Sequence, residues 1–269
     1  MKRVLITGEK GYIGCALEAH LRQRPEKFQV ARLNLRDESW RNCRFSDFDA
    51  VVHTAGLAHK KEKATGREPY FAVNRDLTLE VAKAARAAGV KQFVFFSTMA
   101  VYGEQGRLGA PLVIRRDTPE HPVSWYAQSK LEAEGGLRLL AGPQFQVAIL
   151  RPPMVYGKGC KGNYAKLEAF AKKSPVFPQI NNQRSMVNIA ALCQAVQGMI
   201  QKGQGGLFFP QDDRYYCTSQ LVREIRENCG KPIWLCPGFS WLFCGLLQRA
   251  PAIKKVFGNL CYDQALSKE

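Results

Sequence analysis

The sequence predicts an α/β fold: a doubly wound parallel sheet followed by a smaller C-terminal part. Up to Leu150, apolar strand-like runs alternate with helix-like patterns, which is typical of repeated strand–helix–strand units. The runs at Ala50–Val52 and Phe93–Phe96 are apolar at every position, as expected for strands that helices cover on both faces. A glycine-rich turn follows the first strand-like run directly.

The hydrophobic periodicity predicts each element of the sheet region in order. These are a strand over Val4–Ile6, a helix to about Arg24, strands over Phe28–Leu33 and Ala50–His53, a helix over Tyr70–Ala88, a strand over Gln92–Phe96, a helix over Ser124–Leu140 and a strand over Val147–Leu150. The connection from Asn34 to Asp49 is too short for a further strand and helix.

The chain changes character after Arg151, where proline and glycine become frequent. Shorter helical patterns follow at 163–173, 189–202 and 218–229. Ligands of such sheets bind beyond the carboxyl ends of the strands, so we place the boundary in the loop at 152–162. We expect residues 1–155 to form the sheet domain and residues 156–269 mainly a substrate-binding part, with some elements returning to the sheet.

Composition excludes several classes of function. The 269 residues carry a net charge of +16, but the basic residues are dispersed, and the densest group, at 59–63, is mixed and predicted to be a solvated loop. We therefore expect no nucleic-acid partner. Nine cysteines form no C-x-x-C pair and histidines number four, so we expect reduced thiols and no metal site. The N-terminal residues do not resemble a signal peptide, which favours a cytoplasmic protein.

The most apolar window of the chain is Ile233–Leu247. Pro237, Gly238 and Ser240 interrupt it, and it is shorter than the ~20 apolar residues that a membrane-spanning helix needs. We expect no membrane span. A buried C-terminal helix is the first interpretation, and contact with a membrane surface is the alternative.

The glycine-rich turn comprises Gly8, Gly11 and Gly14, between the first strand and the first helix. Glycine at these points permits a tight turn and lets a pyrophosphate approach the helix N-terminus closely. The spacing G-x-x-G-x-x-G differs from the G-x-G-x-x-G dinucleotide fingerprint, so an ordinary strand-to-helix turn remains the alternative.

Tyr126 and Lys130 stand four residues apart on a predicted helix and therefore share one face. An ammonium group beside a phenol lowers its pKa from about 10, which makes tyrosine usable as a base near neutral pH. Two exposed helix residues are the alternative interpretation of this spacing alone.

Taken together, the motifs resemble the extended short-chain dehydrogenase/reductase family, specifically its NAD-dependent epimerase/dehydratase branch. The matching segments are Thr7-Gly8-x-x-Gly11-x-x-Gly14, Asp49-Ala50-Val51-Val52-His53-x-Ala55-Gly56, Val73-Asn74, Phe96-Ser97-Thr98-x-x-Val101-Tyr102-Gly103, Tyr126-x-x-Ser129-Lys130 and Leu150-Arg151-Pro152-Pro153-x-Val155-Tyr156-Gly157. The resemblance covers nearly the whole chain and implies a Rossmann domain that binds NAD, with NADP as the alternative.

The resemblance also implies a role for each site residue. Thr98, Tyr126 and Lys130 would be catalytic, and Thr98, Asn163 and Arg184 would contact the substrate, the last two at its diphosphate. The residues expected to bind the cofactor are Gly8, Gly11, Tyr12, Ile13, Gly14, Asn34, Arg36, Asp37, Ala55, Gly56, Asn74, Ser97, Tyr126, Lys130 and Pro153.

Two departures from the family pattern limit these expectations. Asn34 replaces the acidic residue that accepts a hydrogen bond from the adenosine ribose in NAD-selective members. The flanking Arg32 and Arg36 suit the 2′-phosphate of NADP. The alternative is that Asp37 faces the adenosine and takes the place of the missing carboxylate. Met99 and Ala100 follow Thr98 where 4,6-dehydratases of the family carry Asp-Glu. Neither side chain transfers protons, so we expect no dehydratase activity.

The resemblance predicts an NAD(P)-dependent enzyme that acts on a UDP-linked sugar in the supply of surface-polysaccharide precursors. Epimerisation of a UDP-hexose at C4 through a 4-keto intermediate is the leading hypothesis. Reduction of a UDP-4-keto-6-deoxy-hexosamine at C4 is the alternative, and a non-catalytic dinucleotide-binding sensor or scaffold is the second. A homodimer is possible, because the helices at 70–88 and 124–140 resemble the dimer bundle of the family.

Overall fold

The computed structural model describes residues 1–58, 62–103, 106, 112–238 and 256–267. Its strands are β1 (Lys2–Thr7), β2 (Phe28–Leu33), β3 (Ala50–His53), β4 (Gln92–Phe96), β5 (Val113–Ile114), β6 (Gln146–Leu150), β7 (Met154–Tyr156), β8 (Val176–Pro178), β9 (Met186–Asn188), β10 (Gly206–Phe208), β11 (Trp234–Cys236) and β12 (Cys261–Tyr262). Its α-helices are α1 (Tyr12–Leu21), α2 (Glu62–Thr65), α3 (Glu68–Phe71), α4 (Leu77–Ala87), α5 (Trp125–Leu140), α6 (Asn163–Lys173), α7 (Ile189–Lys202) and α8 (Thr218–Glu227).

A six-stranded parallel sheet in the order β10-β6-β4-β3-β1-β2 forms the centre of the molecule. The predicted fold class is therefore confirmed. The chain leaves β1 for β2 on one side and then crosses to β3 on the other, so the strand order reverses between β1 and β3. In such sheets the crevice beyond the carboxyl ends at this reversal is the usual ligand position.

The connection between β2 and β3 carries no further strand or α-helix, as its length predicted. It forms two short 3₁₀ turns, Glu38–Asn42 and Phe45–Asp47, and these bury Trp40 and Phe45 against the sheet.

Helices cover both faces of the sheet. On one face, side chains of α1 and α7 such as Leu17 and Val196 join a buried cluster with Val52. On the other face, Val81 of α4 and Ala133 of α5 pack in a second cluster around the strands. Burial on both faces explains why the central strands are apolar at every position.

The helix predicted over Tyr70–Ala88 starts earlier and is not uniform. It comprises α3, a π-helical turn at Ala72–Asp76, and α4. The π turn contains Asn74, whose side chain is fully buried. Such turns are rare and frequently occur at functional sites, and periodicity does not reveal them.

The C-terminal part contains the three predicted helices as α6, α7 and α8, although α8 ends at Glu227. Three parallel pairs were not predicted: β7 with β9, β8 with β11, and β5 with β12. Strands of two or three residues are too short to show a period of two. β10 forms the edge of the central sheet and α7 packs against α1, while the proposed domain boundary remains a prediction.

Two predictions lie largely outside the described residues. These are the solvated loop at 59–63, of which residues 59–61 are not described, and the apolar window Ile233–Leu247 beyond Gly238. The described start of that window forms strand β11 (Trp234–Cys236), so the predicted helix is wrong there. Within the described ranges, no helix is long and apolar enough to cross a membrane. The same ranges contain no cluster of metal-ligating side chains.

Candidate active site

The glycine-rich turn packs closely against the segment that follows β3. Gly8 adopts a φ of +87°, and a Cβ atom there would lie 3.1 Å from Cα of Ala55. A Cβ on Gly14 would lie 2.6 Å from Oγ1 of Thr54. A side chain would therefore clash at Gly14 and strain the backbone at Gly8.

The N-terminus of α1 is available to an anion. The helix begins after Gly11 with no side-chain cap, and its first turn contains no acidic residue. The first N–H groups of a helix lack partners within it, and the helix dipole favours negative charge there. The turn and the helix thus fit a dinucleotide pyrophosphate at the residues predicted to hold it, including Ile13.

The phenolic oxygen of Tyr12 is buried and has no hydrogen-bond partner among the described residues. Burial raises its pKa to about 12. A Cβ atom on Gly157 would lie 3.3 Å from the phenolic oxygen. Tyr12 therefore joins the glycine-rich turn to the loop after β7.

Arg32 lies beneath the glycine-rich turn, a placement that its position beside Asn34 in the sequence did not reveal. Its guanidinium donates to the carbonyl of Gly8 and lies 3.8 Å from the Glu18 carboxylate. Nε and Nη1 are buried and have no hydrogen-bond partner among the described residues. A positive charge thus supports the turn that is predicted to hold the pyrophosphate.

After the end of β2, the position predicted to face the adenosine ribose is occupied by Asn34, which is uncharged. Oδ1 of Asn34 accepts from the backbone N–H of Arg36 at 3.1 Å. The Asp37 carboxylate caps the following 3₁₀ turn by accepting from the N–H of Ser39 at 3.0 Å. Arg36 is exposed, and its side chain forms no ion pair within the described part of the chain.

Lys130 is buried, and its ammonium is held at the carboxyl end of β4. Nζ donates to the carbonyl of Phe96 at 2.8 Å and lies 4.5 Å from the ring centre of Phe95. A Cβ atom on Gly56 would lie 3.3 Å from this nitrogen. The segment Ala55–Gly56, which is predicted to bind the cofactor, therefore lies directly against Lys130. Burial lowers the pKa of Lys130 to about 7, although the Glu134 carboxylate acts in the opposite direction.

Thr98 lies two residues after Phe96, whose carbonyl accepts from Lys130 at the end of β4. Thr98 caps a 3₁₀ turn at Met99–Tyr102, and its Oγ1 accepts from the N–H of Ala100 at 3.1 Å. The N–H of Met99 donates to the carbonyl of Pro152 at 3.0 Å. That bond places the loop containing Pro153 beside the end of β4.

Asn74 ties the segment after β3 to the predicted catalytic helix α5. It accepts from the N–H of Leu57 at 2.7 Å, and its Nδ2 donates to the carbonyl of Leu57 and to Oγ of Ser129, both at 3.1 Å. Through Asn74, the segment that includes Ala55 is therefore linked to Ser129 of α5.

A buried ion pair behind the site was not predicted. Glu134 and Arg151 are fully buried, and the carboxylate accepts from Nη2 of Arg151 at 2.6 Å and from Nε at 3.0 Å. Ser97 also donates its hydroxyl to Glu134, and Arg138 contributes a further ion pair at 2.7 Å. Glu134 stands four residues after Lys130, and this spacing, which places both on one helix face, is the sequence signal for it.

A cavity of about 410 Å³ lies in the C-terminal part. It is lined by Met154, Asn163, Lys166, Leu167, Phe170, Phe177, Pro178, Arg184, Met186, Tyr216, Thr218, Leu221, Val256 and Phe257. Asn163 and Arg184, the two residues predicted to contact the diphosphate, meet here from separate elements. The catalytic candidates Thr98, Tyr126 and Lys130 are not among the lining residues.

Arg184 is half-buried, and its Nη1 donates to the carbonyl of Gly258 at 2.9 Å. Burial lowers the pKa of its guanidinium. No carboxylate pairs with it within the described part of the chain. The cavity thus combines an apolar wall with a cation that suits an anionic group.

A carboxylate holds Tyr216 of the cavity wall to the β7–β9 strand pair. Asp212 accepts from the hydroxyls of Tyr156 at 2.8 Å and Tyr216 at 2.7 Å, and from the N–H of Asn188 at 3.0 Å. Tyr156 ends β7 and Asn188 ends β9, so this cluster lies at the carboxyl end of that strand pair.

Comparisons with known proteins agree with this architecture. The model of the NAD dependent epimerase/dehydratase family matches residues 4–206. A UDP-glucose 4-epimerase of Vibrio cholerae is 30% identical over an alignment that covers 100% of this chain and 89% of that protein.

Solved structures share the fold at lower identity. A UDP-glucuronic acid 4-epimerase of Bacillus cereus, in complex with NAD, has a TM-score of 0.74 at 17% identity and covers 99% of this chain and 90% of its own. A dTDP-4-dehydrorhamnose reductase of Bacillus anthracis, in complex with NADP, has a TM-score of 0.72 at 19% identity. The match covers 88% of this chain and 83% of that structure. The protein belongs to the NAD-dependent epimerase/dehydratase family and is an NAD(P)-dependent enzyme of its nucleotide-sugar epimerase and reductase group.

Proposed function

We propose that this protein inverts the configuration at C4 of a UDP-linked hexose through a 4-keto intermediate, in the supply of surface-polysaccharide precursors. One observation carries the proposal: Lys130 donates to the carbonyl of Phe96 at the end of β4, two residues before Thr98, and Tyr126 lies one helical turn from Lys130. The Vibrio cholerae relative, a UDP-glucose 4-epimerase, supports the same activity.

The cofactor would lie across the carboxyl ends of β1 and β3. Its pyrophosphate fits the turn at Gly8–Gly14 and the uncapped N-terminus of α1, and its nicotinamide end fits beside Gly56 and Lys130. When bound, NAD(P) accepts and returns a hydride, which is chemistry that no side chain supplies.

The side chains manage the proton of the C4 hydroxyl. Tyr126 takes this proton as general base and later gives it back as general acid. The Lys130 ammonium stabilises the ionised phenol by its charge, and Thr98 hydrogen-bonds the sugar oxygen. Burial favours the uncharged form of Lys130, so Glu134 on the same helix face helps to keep the ammonium protonated.

The cavity would hold the nucleotide diphosphate. Arg184 offers a guanidinium that can bind phosphate oxygens in a bidentate manner, and Asn163 begins a helix whose N-terminus favours an anion. The apolar wall around Phe177 suits a planar base. The catalytic residues lie outside the cavity lining, which leaves the sugar to extend from the diphosphate towards Tyr126.

Reduction of a UDP-4-keto-6-deoxy-hexosamine is the second candidate. Asn34 and the exposed Arg36 leave the adenosine end without a free carboxylate, which suits the 2′-phosphate of NADPH, the reduced cofactor that would supply the hydride. Dehydration is not proposed, because Met99 and Ala100 supply no second acid or base.

Incubation with four sugars tests these candidates. Purified protein would be mixed with UDP-glucose, UDP-galactose and their N-acetyl forms without added reductant, and C4 inversion followed by NMR. Interconversion of any pair supports the epimerase. If no pair interconverts, but a UDP-4-keto-6-deoxy sugar consumes NAD(P)H stoichiometrically, the reductase replaces it. Binding of dinucleotide with neither reaction would favour a sensor or scaffold.

A further inference from the structure

We infer that Glu62 is a positioning residue for the proposed reaction: its carboxylate fixes the backbone of Tyr126 at the N-terminus of α5. The inference rests on the function proposed above, because it concerns the residue that would transfer the proton.

The first turn of α5 takes its hydrogen-bond acceptors from two places. Oγ of Ser124 accepts from the N–H of Ala127 at 3.2 Å, which is an ordinary N-cap. The N–H of Tyr126 itself donates to Oε1 of Glu62 at 2.9 Å. Glu62 begins the short helix α2, 64 residues earlier in the chain, so this bond joins two distant segments.

The peptide groups of Tyr126 are held on both sides. Its carbonyl accepts from Oγ of Ser129 at 2.9 Å, and that hydroxyl in turn accepts from Asn74. Glu62 and Asn74 both belong to the connection that follows β3, whose beginning at Gly56 meets Lys130. The backbone that carries the phenol is thus fixed to the segment that would line the nicotinamide end of the cofactor.

A carboxylate suits this position for two reasons. A hydrogen bond from an N–H to a charged oxygen is stronger than one between neutral groups. The N-terminus of a helix also stabilises negative charge. Glu62 acts through the amide of Tyr126 and needs no contact with the substrate.

Two substitutions at Glu62 distinguish the effect of its hydrogen bond to Tyr126 from the effect of its negative charge. Glu62→Ala removes the acceptor and is expected to lower kcat by roughly 10- to 100-fold, the scale of a small misplacement of a catalytic group. KM for the sugar and Kd for the cofactor are expected to change little. Glu62→Gln keeps an oxygen at the same place and is expected to restore kcat to within about threefold of the wild type. Glu132→Ala is the control, since it removes a half-exposed carboxylate of α5 that pairs with Arg75 and should leave kcat unchanged.

Hydrogen exchange gives a measure that does not depend on turnover. The exchange of the Tyr126 amide hydrogen can be followed by NMR in the full chain. We expect it to be about tenfold faster in Glu62→Ala than in the wild type, Glu62→Gln or Glu132→Ala. The reason is that loss of a hydrogen bond to a charged group is worth at least a factor of ten.

Wild-type kcat in Glu62→Ala, or a fall in Glu62→Gln as deep as in Glu62→Ala, would overturn the inference. So would equal exchange of the Tyr126 amide in all four proteins. If the wild type catalyses neither proposed reaction, the proposed function fails, and the exchange result still decides whether Glu62 holds Tyr126.

Discussion

The catalytic candidates and the cavity differ in how completely the protein satisfies their charged groups. Around α5, the ammonium of Lys130 binds a carbonyl, and Arg151 and Glu134 neutralise each other in full burial. In the cavity, Arg184 has a carbonyl partner but no carboxylate within the described part of the chain, and apolar side chains form most of the wall. This contrast fits the proposed roles, which are proton transfer in the first region and binding of an anionic ligand in the second.

The largest effect is expected from breaking the charge balance behind the catalytic helix. Arg151→Met leaves the Glu134 carboxylate buried without its main partner, which should lower the free energy of unfolding by about 3–5 kcal/mol. Arg138→Met removes the other, half-exposed arginine from the same carboxylate and should cost less than about 1 kcal/mol. Urea denaturation measures both, and equal losses would show that burial of the pair is unimportant.

Removing the phenolic hydroxyl tests the chemistry of the same region. Tyr126→Phe should lower kcat at least ~100-fold, the usual scale of general acid–base catalysis, while leaving the folded structure and cofactor affinity nearly intact. Steady-state kinetics and cofactor titration measure the two quantities. Substantial residual turnover would remove Tyr126 from its proposed role.

Removing the Arg184 guanidinium from the cavity should affect binding rather than chemistry. Arg184→Ala is expected to weaken binding of UDP by roughly 1.5–3 kcal/mol, the range for hydrogen bonds to charged groups, without altering cofactor affinity. Lys172→Ala is a suitable control, because that exposed lysine pairs with Glu168 outside the cavity lining. Calorimetry with UDP alone measures the affinity of each variant. Unchanged affinity for UDP in Arg184→Ala would show that the arginine does not bind the substrate.

A smaller effect is expected from pH, through His53 in the sheet region. His53 is fully buried between the hydroxyls of Thr7 and Thr78, and burial lowers its pKa to about 3. The unfolded chain binds this proton near pH 6.5 and the folded chain does not, so stability should fall as pH drops from about 6.5 towards 3.

Between pH 7 and pH 5 the histidine should account for about 2 kcal/mol of lost stability. Urea denaturation at the two pH values, repeated with His53→Asn, isolates this contribution. An equal pH dependence in the variant would assign the loss to other groups.

The sequence predicted the sheet region well because its signals are local. Apolar runs mark the strands, and the four-residue spacing of Tyr126 and Lys130 follows from helix geometry. The bonds made by Glu62 and Arg151 were not predicted, since they join segments whose approach depends on the finished fold.

The cavity was harder to predict for a related reason. Its lining comes from separate elements between Met154 and Phe257, and several of these are strands of three residues. Asn163 and Arg184 were identified through the family resemblance, whereas Phe177 and Tyr216 carry no local motif. The folded arrangement of β7, β8 and β9 is needed to show that these residues line one cavity.

The central claim is that one active site removes and restores hydrogen at C4 of the sugar. The most direct measurement uses UDP-glucose and UDP-N-acetylglucosamine deuterated at C4, incubated with the protein without added reductant and followed by NMR. We expect conversion of at least one of them to its C4 epimer with the deuterium retained at C4. Absence of inversion in both, or inversion with loss of the deuterium to solvent, would contradict it.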